Sequence, residues 1–239
     1  MASRIFLNLS ILLFGFVHSY VLPVEKCKLE DSGCMISAFQ KAVPIFMAGI
    51  PEANVDVLDV MDMDDIKFDL SGLQFTLTEG KLKGLKNAAV DNVKWDTNKK
   101  TVDVHYHFDA QVQGHYTAGG MILVLPISGD GDLDLKLKNL EIKLHLEYEV
   151  EKDSKGRDHI ASKKYSFQFE VKDGANFALT NLFNGNKELS DTMLTFLNDN
   201  WKEISIEFGK PLVETAAKKL FKNIAKFFKK LPIEDIALV

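Results

Sequence analysis

Residues 102–113 read VDVHYHFDAQVQ. Val102, Val104, Tyr106, Phe108, Ala110 and Val112 alternate with Asp103, His105, His107, Asp109, Gln111 and Gln113. A period of two puts one set on each face of a strand. The pattern recurs downstream. Leu133, Leu135 and Leu137 alternate with charged residues, and after Lys138-Asn139 the alternation resumes as Leu140, Ile142, Leu144, Leu146, Tyr148 and Val150. Tyr165, Phe167, Phe169 and Val171 repeat it. Strands this long, apolar on one face and polar on the other, belong to an antiparallel sheet with one wet side. Asp153-Ser154-Lys155-Gly156-Arg157 supplies the residues of a hairpin turn between two of them.

On either side of this region the period becomes helical. Before it, residues 34–50 (CMISAFQKAVPIFMAGI) place Met35, Ile36, Phe39, Val43, Phe46, Met47 and Ile50 at helical spacing, and Pro44 is expected to kink or interrupt that helix. After it, helical spacing holds from near Leu189 to Leu231, with a bend or a second helix expected at Gly209-Lys210-Pro211. The first half of that stretch is apolar on more than one side through Met193, Leu194, Phe196, Leu197, Trp201, Ile204 and Ile206. A helix apolar most of the way round must be enclosed, and the dry face of a long, curved sheet is the simplest enclosure. The expectation is one α+β domain.

The N-terminus carries an address. Arg4 precedes an apolar run from Ile5 to Val17, and Val17 and Ser19 occupy the −3 and −1 positions of a cut before Tyr20. This is the layout of a secretory signal peptide over residues 1–19, leaving 20–239 as the mature domain. The run falls short of the ~20 residues a membrane span needs, so a secreted, soluble, extracellular product is expected. In an oxidising compartment Cys27 and Cys34, which close the short loop KLEDSG, are expected to pair; the rival reading is a free dithiol acting as a redox pair. The whole chain carries a net charge of −5 and the mature chain −6, so no global basic field draws it to nucleic acid.

At these residues the chain resembles the takeout and juvenile-hormone-binding-protein family of secreted insect proteins. Cys27 and Cys34 open a helix, as in the family. The most specific match is residues 114–131, GHYTAGGMILVLPISGDG, through Tyr116, Gly119, Leu125-Pro126-Ile127, Gly129 and Gly131. Residues 85–95 (LKNAAVDNVKW) match more loosely, and Asn200-Trp201, Gly209-Lys210-Pro211 and Leu231-Pro232 complete the correspondence. The resemblance implies a long C-terminal helix wrapped by a strongly curved antiparallel β-sheet that encloses an apolar tubular cavity. No cysteine follows Cys34, whereas the hormone-binding branch usually has a second disulfide. That favours the takeout-like branch.

Other constellations have plainer readings. His105, His107 and Asp109 share one strand face and could be zinc ligands, but they sit opposite the apolar face of Tyr106 and Phe108 and read as a solvated surface. Asp130-Gly131-Asp132-Leu133-Asp134 with Glu141 imitates a calcium loop, yet Leu135 stands where that loop needs glycine. No nucleophile, phosphate-loop or dinucleotide motif occurs. The expectation is no enzyme, no metal and no cofactor.

Residues 216–231 hold Lys218, Lys219, Lys222, Lys226, Lys229 and Lys230 and no acid. Leu220, Phe221, Ile224, Phe227, Phe228 and Leu231 form an apolar stripe beneath them. Such a helix either packs its stripe on the sheet or lies in an anionic membrane surface. Taken with the family's cavity, the leading reading is a monomeric carrier of a small hydrophobic ligand, a terpenoid such as juvenile hormone or a fatty-acyl lipid. The expected lining is Val104, Tyr106, Phe108, Leu135, Leu144, Phe167 and Phe169 from the strands. Facing them are Phe46 from the first helix and Met193, Phe196, Leu197 and Trp201 from the later one, with the Tyr116 hydroxyl offered to a polar ligand head. The alternative is a membrane-contacting lipid-transfer protein acting through the six lysines.

Overall fold

The computed structural model of the chain describes residues 23–238; the signal peptide expected over residues 1–19 lies outside them. A short strand β1 (Cys27–Lys28) leads into α1 (Ser32–Met47), followed by β2 (Met61–Asp62), β3 (Ile66–Leu70), β4 (Leu73–Lys83), β5 (Ala89–Asp96) and three long strands, β6 (Thr101–Ile122), β7 (Leu125–Lys152) and β8 (Asp158–Leu179). Helices α2 (Lys187–Asp199), α3 (Trp201–Phe208), α4 (Lys210–Lys230) and α5 (Ile233–Ile236) and a last strand β9 (Ala237–Leu238) complete the chain. The seven-stranded sheet is antiparallel, in the order β2-β4-β6-β7-β8, with β3 also on β4 and β5 also on β6.

Helix α4 is roughly 32 Å long at 1.5 Å per residue, whereas β7 covers roughly 90 Å at about 3.3 Å per residue. Strands that outrun the helix they cover must coil around it. The bends are visible as register shifts at one level across the sheet, between Phe108 and Ala110 where β6 meets β7 and between Lys138 and Leu140 where β7 meets β8. This is the phase break read in the sequence at Lys138-Asn139. Asn139 adopts φ 51° there. Its backbone N–H donates to the Asp109 carboxylate at 2.8 Å and its side-chain amide to Asp173 at 3.0 Å, so polar groups on the wet face hold the bulge. The β7–β8 turn forms as expected: the Asp153 carboxylate accepts the N–H groups of Lys155 and Arg157 at 2.8 and 2.9 Å.

Two helical expectations are corrected. Pro44 does not end α1, which continues to Met47. An internal proline costs about 3 kcal/mol, and here Val43, Phe46 and Met47 offset that by packing into the core around it. The helical stretch from near Leu189 to Leu231 divides into three helices, broken at Asn200 and Gly209 rather than only near the glycine, and α4 is the long helix that the sheet covers. At Gly209 a side chain would run into the Phe169 ring and the Ser205 carbonyl, so the strand face and the helix join can approach only because no Cβ is present. Pro211 then sits in the first turn of α4, where its missing N–H is harmless.

The Cys27–Cys34 disulfide is formed, spanning a separation of seven residues. Asp31 caps α1 inside that loop by accepting the Cys34 N–H at 3.1 Å. Next to the bridge, β1 pairs in parallel with β9, Cys27 opposite Ala237, so the two ends of the described chain close on each other. Asn223 of α4 is fully buried at 0% exposure. Its side chain accepts the Asp56 N–H at 2.8 Å and donates to the Lys219 carbonyl at 3.0 Å, while Lys226 meets the Asp56 carboxylate at 2.8 Å. These bonds fasten the loop after α1 to α4.

Candidate functional site

Between the inner face of the sheet and α4 lie two apolar chambers, of about 110 Å³ and about 200 Å³. Together they reach the lower end of the range usual for small-molecule sites, roughly 300–1,000 Å³. The first is walled by β6, β7 and β8 through side chains such as Phe108, Val112, Leu135, Ile142 and Phe169, and by α3 and the N-terminal half of α4 from Ile204 to Leu220. The second is walled by α1 (Met35, Phe39, Phe46), β5 to β7 (Trp95, Val104, Leu144) and the C-terminal half of α4 (Ile224, Phe227, Phe228). Leu85, Tyr106 and Leu220 line both. The chambers therefore follow one another along α4, with those three side chains at the join. From Leu212 to Phe228 the lined stretch of α4 runs roughly 24 Å at 1.5 Å per residue.

The expected lining divides accordingly. Phe108, Leu135 and Phe169 face the first chamber, Phe46, Val104 and Leu144 the second, and Tyr106 both. Phe167 lies on β8 opposite Leu144, half-buried and outside both chambers. Met193, Phe196, Leu197 and Trp201 also lie off the chambers, packed into the main core. The reason is where α2 sits: Asn198 bonds both backbone groups of Phe177 on β8, at 2.8 Å to its N–H and 3.1 Å to its carbonyl, which docks α2 on the sheet away from the tunnel axis. The helix that faces the tunnel is α4, whose stripe of Leu220, Ile224, Phe227 and Phe228 was legible in the sequence as amphipathic.

Tyr116 is a core residue, at 0% exposure. Its hydroxyl donates to the Thr180 carbonyl at 2.7 Å, and so is not offered to a ligand head. Burial, with a smaller contribution from Asp130, pushes its pKa up to about 12. Two glycines of the 114–131 motif are explained here: a Cβ on Gly129 would strike the Tyr116 ring and hydroxyl, and one on Gly131 would strike Thr180. This motif specifies packing at one end of the sheet.

Tyr106 differs. It is half-buried and lines both chambers. Burial raises its pKa far above the ordinary phenol value, and its hydroxyl has no hydrogen-bond partner among the described residues. Of the zinc-like residues of β6, His107 pairs with Asp91 at 2.8 Å and Asp109 accepts the Asn139 N–H at 2.8 Å, both on the wet face. Among the described residues no group of three or more potential metal ligands comes together, and no helix is long and apolar enough to cross a membrane.

A curved antiparallel sheet closed over a helix, with an apolar tunnel between them, defines a protein that binds small hydrophobic molecules. The chain belongs to the haemolymph juvenile hormone binding protein family, whose model matches residues 9–238. The crystal structure of Epiphyas postvittana Takeout 1 superposes with a TM-score of 0.89 at 66% identity, over 90% of this chain and 100% of that one. The circadian clock-controlled protein daywake of Drosophila melanogaster is 28% identical over 89% of this chain and 86% of its own length. The juvenile hormone-binding protein of Manduca sexta is 29% identical over only 37% of this chain and 40% of its own.

Proposed function

We propose that the protein is a secreted, monomeric carrier that takes up one hydrophobic ligand, a terpenoid or a fatty-acyl lipid, along the two chambers. In this reading residues 1–19 are removed as a signal peptide, the mature chain of residues 20–239 acts as one domain, no cofactor takes part and no bond is made or broken. The observation that carries the reading is the run of apolar chambers between β6–β8 and α4, with Leu85, Tyr106 and Leu220 shared by both. A ligand burying about 400 Å² of apolar surface would gain roughly 10 kcal/mol gross at ~25 cal/mol per Å². Association and ordering take back several kcal/mol, so this burial alone leaves roughly 6–7 kcal/mol, an affinity of about 10–40 μM. The test is mass spectrometry of an organic extract of the natural protein against a delipidated control. A stoichiometric hydrophobic compound supports the carrier; an empty extract, with terpenoids and fatty acyls that also fail to bind, refutes it.

One observation favours a further role for the basic helix in docking. The apolar stripe of α4 is turned inward, and Lys219 and Lys226 are tied to Asp62 and Asp56. Lys218, Lys222, Lys229 and Lys230 are exposed and make no ion pair among the described residues, which supports contact with an anionic membrane during ligand exchange. Salt-sensitive co-sedimentation with phosphatidylserine vesicles, lost when these four become Glu, is the expected result. Equal sedimentation of both forms refutes it.

A further inference from the structure

The first chamber is apolar with two exceptions. Its lining holds the hydroxyls of Tyr106 and Ser205 and no other polar side chain. Ser205 is 8% exposed and its Oγ has no hydrogen-bond partner. This is not the habit of its neighbours. In α2 and α4 the hydroxyls of Ser190, Thr192, Thr195 and Thr215 all donate to the carbonyl four residues back, at 2.7 to 3.0 Å. Ser205 alone among the hydroxyls of α2, α3 and α4 leaves that bond unmade. Buried polar groups are normally satisfied, and an orphaned hydroxyl beside a cavity asks for a partner that arrives with the ligand. Tyr106, at the join of the two chambers, is the second such group.

We propose that Ser205 and Tyr106 form the polar recognition point of the tunnel, and that the ligand is an uncharged chain bearing a hydrogen-bond-accepting oxygen, such as an ester, ketone or alcohol. This rests on the carrier reading and narrows it. Both hydroxyls donate. Tyr106, kept neutral by burial, retains its proton under all ordinary conditions. The chamber lining contains no lysine, arginine or histidine, so an ionised carboxylate would be desolvated there without a countercharge. A neutral ester meets both demands, whereas a hydrocarbon leaves both hydroxyls unpaired and a fatty-acid anion brings a charge nothing offsets.

The test uses the delipidated full-length mature protein and displacement of a fluorescent apolar probe by methyl hexadecanoate, hexadecane and ionised hexadecanoate. Each ligand is compared between wild type and variant, so its own solubility cancels. Ser205→Ala and Tyr106→Phe are each expected to weaken methyl hexadecanoate about five- to tenfold, the range of one lost hydrogen bond, and to leave hexadecane within about twofold. Hexadecanoate should bind more weakly than the ester. Ser205→Ala should fold as well as wild type or better, since no hydrogen bond is lost, and thermal unfolding checks this. If both variants fold and bind ester and hydrocarbon as wild type does, or if the anion binds tightest, the recognition point is overturned while the carrier stands. If none of the three displaces the probe from wild type, the carrier reading fails and this proposal fails with it.

Discussion

Filling the first chamber from α4 should stabilise the empty protein and penalise the loaded one. Ala216 sits mid-helix on the chamber wall and is only partly covered by neighbouring atoms. Ala216→Leu adds three carbons to a space of about 110 Å³. At ~0.8 kcal/mol per buried CH₂ the gain is roughly 2.4 kcal/mol. Freezing the leucine side chain costs about 0.5–1 kcal/mol, and leucine in place of alanine costs a few tenths more in helix propensity. The net is about 1–1.5 kcal/mol, or roughly 2–6 °C in Tm for a chain of this size. A bound chain would have to vacate the same volume, so affinity should fall tenfold or more. Circular-dichroism melts of delipidated wild type and variant, followed by ligand titration of both, measure the two effects. The opposite sign in the delipidated melt would refute the reasoning: in a filled core the extra carbons strain their neighbours by about 1–3 kcal/mol, and Ala216→Leu would melt lower.

Asn223→Ala should cost about 2 kcal/mol, because the Asp56 N–H loses its acceptor in a part-buried setting and the fully buried Asn223 side chain is removed; urea unfolding should show it, with a Tm drop of roughly 4–8 °C, and a change under 1 °C would remove Asn223 as the clamp. The raised phenols give an alkaline signature. Tyr116 holds its proton up to about 12 when folded against an ordinary value near 10, so its contribution is complete below pH 10 and drains away as pH rises toward 12. Urea midpoints taken across that window should fall, and fall less steeply in Tyr116→Phe. Replacing Cys27 and Cys34 by Ser should lower stability by about 2 kcal/mol, the modest figure for so short a loop, with ligand binding retained in a titration below the new Tm.

The sheet was legible because alternation over many residues leaves few alternatives. Even the bulge showed, since a strand cannot insert Lys138-Asn139 out of phase without a break in the ladder. The tunnel was harder. Val104, Tyr106, Phe108, Leu135, Leu144 and Phe169 reach it because strands that share a face share whatever that face covers, and Phe46 reaches it from the inward side of α1. The choice of helix went astray for a physical reason. Residues 189–206 are apolar on several sides, which says that a helix is enclosed but not what encloses it. The one-sided stripe of α4 resembled a membrane helix, because inward-facing apolar residues look the same whether they meet lipid, sheet or cavity. Ser205 carries no sequence signal as a site: a lone serine in a helix is ordinary until the unmade backbone bond is seen. The Tyr116 motif misled in the other direction, since its hydroxyl is taken by the Thr180 carbonyl rather than left for a ligand.

Because α4 forms one wall of both chambers from end to end, its successive turns stand at graded depths, one about every 5.4 Å. Leu212 and Val213, Ala216 and Ala217, Leu220, Ile224, then Phe227 and Phe228 mark the scale. A larger side chain at any one mark sets a stop there and leaves the sheet untouched. Relatives with the same strands could thus diverge in the length of molecule they accept by changing single letters on one helix, which makes α4 a gauge that selection can reset one notch at a time.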